Sequence, residues 1–139
     1  QNVEVNAIFS NSKKIADYIN IILYFEKNII AVINSDWISP YKEHRFSVLG
    51  SKGSLIFDDT KDWSNKLIIN PSYINEKKEI IYKPERTIPV LNEEPLKKEV
   101  ETFLKCVEKS SRPITNIDEG IKVQIVLDMI NNKLKEKYG

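Results

Sequence analysis

Apolar and polar residues alternate along the first part of this chain, and the period of the pattern changes once, near Pro95. Val3, Val5, Ala7 and Phe9 fall at every second position, which predicts a half-buried strand from Val3 to Phe9. Asn11-Ser12-Lys13-Lys14 supplies turn chemistry. Tyr18 to Phe25 and Ile29 to Trp37 are rich in Ile, Val and aromatic residues. The polar break Glu26-Lys27-Asn28 between them predicts a hairpin. A second hairpin is expected from Arg45 to Leu49 and Ser54 to Phe57, turning at Gly50-Ser51-Lys52-Gly53. Lys66 to Ile69 and Glu79 to Tyr82 are shorter strand candidates. Pro84 and Pro89 keep the following stretch extended and out of any helix.

From Pro95 the spacing becomes helical. Leu96, Val100, Phe103, Leu104 and Val107 recur with charged residues between them, and Ser110-Ser111-Arg112-Pro113 ends that helix. Thr115 or Asn116 can cap the next helix, with Asp118 and Glu119 in its first turn, and it is expected to run to about Lys135. Strands first and helices last predict an α+β fold, with both helices on one face of a largely antiparallel sheet.

Two features of the pattern go beyond fold class. The central strands are apolar on both faces: Ile29, Ala31 and Ile33 on one side, Ile30 and Val32 on the other. Two helices can cover only one face, so the second is expected to need a partner subunit or domain. The last helix sorts into two stripes, Val123, Val126, Leu127, Ile130 and Leu134 against Ile121, Ile125 and Met129. A helix apolar on two sides is expected to be sandwiched.

Composition narrows the classes. The chain has 139 residues, the length of one domain, here taken as 1–139. Lys plus Arg (21) nearly cancels Asp plus Glu (20), which argues against a nucleic-acid partner. No apolar run approaches the roughly 20 residues of a membrane span. The N-terminus lacks the basic start and apolar core of a signal peptide. Cys106 is the only cysteine, so no internal disulfide forms and a cytoplasmic setting is expected. It is expected to be an inert buried thiol in a helix. The chain starts without Met, as an excised domain or processed product would.

Candidate chemistry is sparse. Gly50-Ser51-Lys52-Gly53 lacks the spacing of a phosphate loop and leads into no helix, and no G-x-G-x-x-G exists. His44 is the only histidine, and no metal site can be built from it and Cys106 at a usual spacing. Asp58-Asp59 reads as a solvated turn, with a divalent-ion site as the other reading. Polar, aromatic and basic residues concentrate in one connection, Ser35 to Arg45, a mixture that suits an anionic or polyhydroxylated ligand. An ordinary strand connection with Trp37 in the core is the plain alternative.

The order of these segments resembles a known family. Asp17-Tyr18-Ile19-Asn20 through Phe25 is similar to a family strand that carries an Asp before an alternating apolar run. The W-x-x-P-x-K-x-x-R pattern of Trp37, Pro40, Lys42 and Arg45 follows. Val48, Gly50 to Gly53, Leu55, Asp58 and Asp59 resemble its sheet hairpin, and Pro95-Leu96, Glu99 and Phe103-Leu104 the start of its first closing helix. Arg112-Pro113 and Glu119-Gly120 complete the match. The chain thus resembles the C-terminal domain of the Gfo/Idh/MocA family of NAD(P)-dependent oxidoreductases. The family's turn glycine after Phe25 is replaced around Asn28.

The resemblance implies an open-faced, mostly antiparallel mixed sheet of the dihydrodipicolinate-reductase C-terminal type, with two helices. It implies the substrate-side and oligomerisation domain of a dehydrogenase acting on CH–OH groups of a sugar or nucleotide-linked sugar. The partners implied are an N-terminal Rossmann domain, which binds the NAD(P), and further copies in a homodimer or tetramer. The E-K-P lysine and the D-x-x-x-H helix of the family are absent, so no catalytic, cofactor or metal residue is assigned here, and the isolated chain is expected to bind no NAD(P) and to be inactive. Lys42 is the first substrate-contact candidate, as a donor to a hydroxyl or phosphate, followed by Trp37, Tyr41 and Arg45. A stand-alone small-molecule binding module and a purely structural dimerisation module remain the other readings.

Overall fold

A computed structural model of the chain describes residues 2–10 and 15–139. The expected turn at 11–14 lies outside the described residues. Nine strands precede two helices among the described residues: β1 (Asn2–Ile8), β2 (Tyr18–Tyr24), β3 (Ile30–Asp36), β4 (Arg45–Gly50), β5 (Gly53–Asp58), β6 (Leu67–Asn70), β7 (Tyr73–Ile74), β8 (Ile80–Ile81), β9 (Arg86–Ile88), α1 (Pro95–Glu108) and α2 (Ile117–Tyr138). The α+β class is as expected. Among the described residues every strand pairing is antiparallel, and the strands form sheets ordered β1-β2-β3, β4-β5-β6-β9 and β7-β8. The chain divides into two compact units, residues 1–40 with 102–139, and residues 41–101.

In the first unit β2 is central, pairing Val5 with Ile21 and Ile21 with Ile33. Directly opposed residues share a face. One face therefore carries Val3, Val5, Ile19, Ile21 and Leu23, and α2 docks on it. Val3, Val5, Ile21 and Ile130 form the buried core, with Ile19, Leu23, Val126, Met129 and Leu134 packed around it. This corrects the two stripes read from the sequence. Met129 joins Val126, Ile130 and Leu134 on the docked side, while Val123 and Leu127 are exposed beside Ile121 and Ile125. Residues three and four apart on a helix are neighbours, so 126, 129, 130 and 134 make one continuous ridge. Ile121, Val123, Ile125 and Leu127 leave another side of the helix apolar and exposed.

The opposite face is less apolar than the alternation suggests. Asn6, Asn20 and Asn34 lie in register across the three strands. Asn6 Nδ2 donates to Asn20 Oδ1 at 3.3 Å, and Asn20 Nδ2 to Asn34 Oδ1 at 2.8 Å. The Tyr18 hydroxyl donates to the same Asn34 oxygen at 3.1 Å. Beside this row stand Glu4, Ile22 and Val32, then Asn2, Tyr24 and Ile30. A bond to Glu4 holds the Tyr24 phenol above its ordinary value. Ile30 and Val32 are exposed.

The end of α2 protects the outer edge of β1. Lys137 Nζ donates to Val5 O at 3.2 Å and to Asn6 Oδ1 at 2.7 Å, and the Ala7 amide donates to the Tyr138 hydroxyl at 3.0 Å. Covering an edge strand in this way satisfies main-chain groups that would otherwise template pairing with another chain. Phe9 packs on the Tyr138 ring with centroids 5.3 Å apart. Asn116 is the residue that caps α2, its side chain accepting from the Asp118 amide at 2.9 Å. The helix runs three residues beyond Lys135, to Tyr138. Between β2 and β3, Lys27 (φ 58°) and Asn28 (φ 57°) both adopt the left-handed conformation, so the turn works without the glycine.

In the second unit β4 and β5 form the expected hairpin, with Gly50 opposite Gly53. Gly53 has φ +138°, and a Cβ there would sit 2.5 Å from Asn70 O, so the close approach of the β6 end requires glycine. The sequence reading missed β7 and β9. β9 is the extended stretch between Pro84 and Pro89, which pairs on the edge of its sheet where proline is tolerated. On α1, Leu96, Val100, Phe103, Leu104 and Val107 are exposed, so the apolar side predicted for this helix is not buried. Cys106 is half-buried on the same helix.

Candidate functional site

The Ser35–Arg45 connection begins at the end of β3, in the first unit. There two aspartates fix the chain. Asp36 Oδ1 accepts from the Ser39 amide at 2.8 Å, and bonds from the Ser39 side chain and backbone hold the Asp36 carboxyl below the usual range. Asp17, at the entry to β2, is fully buried and accepts from Trp37 Nε1 at 2.8 Å. Trp37 itself is exposed, so it is not the core residue of the plain alternative.

Tyr41, Lys42 and Arg45 belong to the second unit. Tyr41 and Lys42 are exposed on the connection. Among the described residues Lys42 enters no ion pair. Arg45 opens β4 opposite Asp58, and its guanidinium pairs with that carboxylate at 3.4 Å. A ligand would therefore compete with Asp58 for Arg45, which sets it below Lys42 as a contact.

Asp58 and Asp59 do not stand as two solvated carboxylates. Asp58 is buried and accepts from the Thr60 hydroxyl at 2.6 Å and amide at 3.0 Å. Those bonds, followed by Arg45, lower its pKa. Asp59 pairs with Lys66 Nζ at 2.5 Å and with His44 Nδ1 at 3.2 Å. Lys66 first, then His44, hold the Asp59 carboxyl below its ordinary value. Lys66 also lies over the Trp63 ring, 4.4 Å from its centroid. The two carboxylates point into different partner sets, so they brace the end of β5 against the start of β4 and of β6. Among the described residues no three His, Cys, Asp or Glu side chains converge to hold a metal ion.

Sequence reading singled out Trp37 but not the group that holds it. Asp17 was named only as the Asp that precedes the apolar run of a family strand, with no role assigned. Lys66 carried no signal, because its pairing with Asp59 depends on β5 meeting β6, whereas Thr60 bonds Asp58 only two residues away, a local contact that the solvated-turn reading passed over. A groove of about 550 Å³ lies beside β1 and the end of α2, lined by Asn2 to Asn6 with Lys133, Glu136 and Lys137. None of the four predicted contact residues lines it.

Antiparallel sheets followed by two terminal helices, with an aromatic and basic connection after the third strand, define an α+β sheet domain. The model of the oxidoreductase family C-terminal alpha/beta domain matches residues 2–138. The chain belongs to the Gfo/Idh/MocA oxidoreductase family, as its C-terminal domain. Neither the curated proteins nor the solved structures offer a match. No helix of the described residues is long and apolar enough to cross a membrane.

Proposed function

We propose that this chain is the substrate-side and oligomerisation domain of an NAD(P)-dependent dehydrogenase acting on a CH–OH group of a sugar or nucleotide-linked sugar, working in the cytoplasm with an N-terminal Rossmann domain. The observation that carries this reading is the exposed Trp37 ring, held at its polar end by a buried carboxylate. An exposed indole suits the apolar side of a sugar ring. In this reading Lys42 donates to a hydroxyl or phosphate, and Tyr41 and Arg45 contribute to the substrate wall.

The residues of this chain do not fit the dinucleotide itself. Gly50 to Gly53 closes a hairpin between two antiparallel strands, whereas a pyrophosphate loop leads from a strand into a helix N-terminus. Hydride chemistry belongs to a nicotinamide held elsewhere, and this chain's part is to bind and orient substrate. The isolated chain is accordingly inactive. Calorimetric titration with NADH tests that part: no binding is expected, and a micromolar dissociation constant overturns it. The substrate reading is tested in the protein that joins this domain to its nucleotide-binding half. Lys42→Ala should raise KM for a sugar or nucleotide sugar about tenfold with little change in kcat, as expected when a uniform binding contact is lost. An unchanged KM refutes the role of Lys42.

The open face of the three-stranded sheet is the proposed subunit interface, in a dimer or tetramer. Ile30 and Val32 are exposed there, and the asparagine row offers amides in a regular array. A symmetric face-to-face contact is the commonest way to bury such a surface.

A further inference from the structure

Trp37 joins two properties that an ordinary surface aromatic lacks together. The residue is 67% exposed, yet its indole Nε1 donates to Oδ1 of Asp17, a residue only 1% exposed. The other oxygen of that carboxylate, Oδ2, accepts from the Ser10 amide at 2.5 Å. The main chain of Asp17 is tied in as well. Its amide donates to Ile8 O at 2.8 Å, and its carbonyl accepts from the Trp37 amide at 3.4 Å. One buried residue thus links the exit of β1, the entry to β2 and the chain leaving β3.

Burying a carboxylate is costly unless hydrogen bonds satisfy it. The main-chain bonds of Asp17 would by themselves tie the strand ends together. The bond from its side chain to Nε1 does something more: it restrains the ring of an exposed residue. A ring already held in its bound orientation loses less freedom when a ligand stacks on it.

We propose that Asp17 is a positioning residue, which acts through Nε1 to hold the Trp37 indole as a stacking platform for the apolar face of a sugar ring. The inference rests on the sugar reading above and adds to it the group that sets the platform's geometry. Asp17 itself need not touch the substrate.

The test uses the protein that carries this domain with its nucleotide-binding half, with methyl β-D-glucopyranoside and UDP-glucose as probes in calorimetric titrations. Trp37 is replaced by benzothienylalanine, which keeps the shape and stacking face of the indole and has sulfur in place of the N–H. Affinity for the probe is expected to fall about fivefold, the loss that follows from freeing one held ring, with the far-UV circular dichroism unchanged. Asp17→Asn is expected to move affinity in the same direction and to shift the Trp37 indole N–H resonance. A purely structural Asp17 would lower the melting temperature and leave the affinity of the folded protein alone. Equal affinity of the benzothienylalanine protein and the parent overturns the positioning role while the sugar reading stands. Failure of the parent protein to bind either probe overturns the sugar reading, and the platform with it.

Discussion

Replacing Ile130 by alanine should be the most damaging single truncation on α2. Ile130 is 6% exposed and is the one α2 residue inside the buried core, against Val3, Val5 and Ile21. Ile130→Ala removes three carbons, and at about 0.8 kcal/mol for each buried carbon the transfer loss is about 2.4 kcal/mol. A cavity contribution adds to this, but Val126, Met129 and Leu134 are only partly buried and can move inward. The expected total is about 3 kcal/mol, toward the lower end of the range for such truncations. That is a large share of the roughly 5–15 kcal/mol that stabilises a typical domain. Urea unfolding followed by Trp37 fluorescence, in a Trp63→Phe background, reports on the first unit. With a slope of about 1.5 kcal/mol per M, the midpoint should fall by about 2 M while the slope stays constant. Ile125→Ala is the control. Ile125 is 53% exposed, and its truncation should cost less than about 1 kcal/mol. A cost below about 1 kcal/mol for Ile130→Ala, or an equal cost for Ile125→Ala, would show that the docked face of α2 has been misassigned.

Other expectations concern the hairpin, the acid limb and the open face. Gly53→Ala should destabilise the second unit by roughly 1–3 kcal/mol, the scale of local backbone strain, because both the positive φ and the contact with Asn70 O resist a Cβ; a neutral effect in thermal melts would refute it. Asp36, Asp58 and Asp59 all have lowered pKa values, so each favours the folded state above the ordinary carboxylate value of 3.8 and loses that contribution as pH falls through its folded value. Urea midpoints should therefore drop below about pH 4, and Asp59→Asn should flatten part of that drop; an unaltered acid limb would count against the Lys66 pairing. Val32→Lys should yield a folded monomer by sedimentation, while the parent chain self-associates with more than about 1,200 Å² buried in total. A parent chain monomeric at high micromolar concentration would remove the interface from the open face.

Periodicity made most of the elements legible. A period of two from Val3 to Phe9 and a helical period from Pro95 place one side chain relative to the next along the same chain, and the local backbone fixes that relation. The family was legible for the same reason, since its motifs are ordered along the sequence. A cap at Thr115 or Asn116 and a glycine turn from Gly50 to Gly53 likewise follow from neighbours in sequence, whereas the contact of Gly53 with Asn70 O does not. Pairing across the sheet belongs to the tertiary structure alone. The alternation left open which face of β3 would meet a helix, and only the register Val5–Ile21–Ile33 puts Ile33 on the helix side and Val32 on the open side. The asparagine row exists because positions 6, 20 and 34 fall in one register, which no single segment encodes. Met129 moved to the docked ridge because the sheet selects the side of α2 that it meets. Asp17 reaches Trp37 across 20 positions of sequence, and Asp59 finds Lys66 and His44 just before the starts of neighbouring strands. Such contacts arise when chain closure brings distant polar groups to within about 3 Å, so the sequence named the exposed ring and the fold alone supplied the group that holds it.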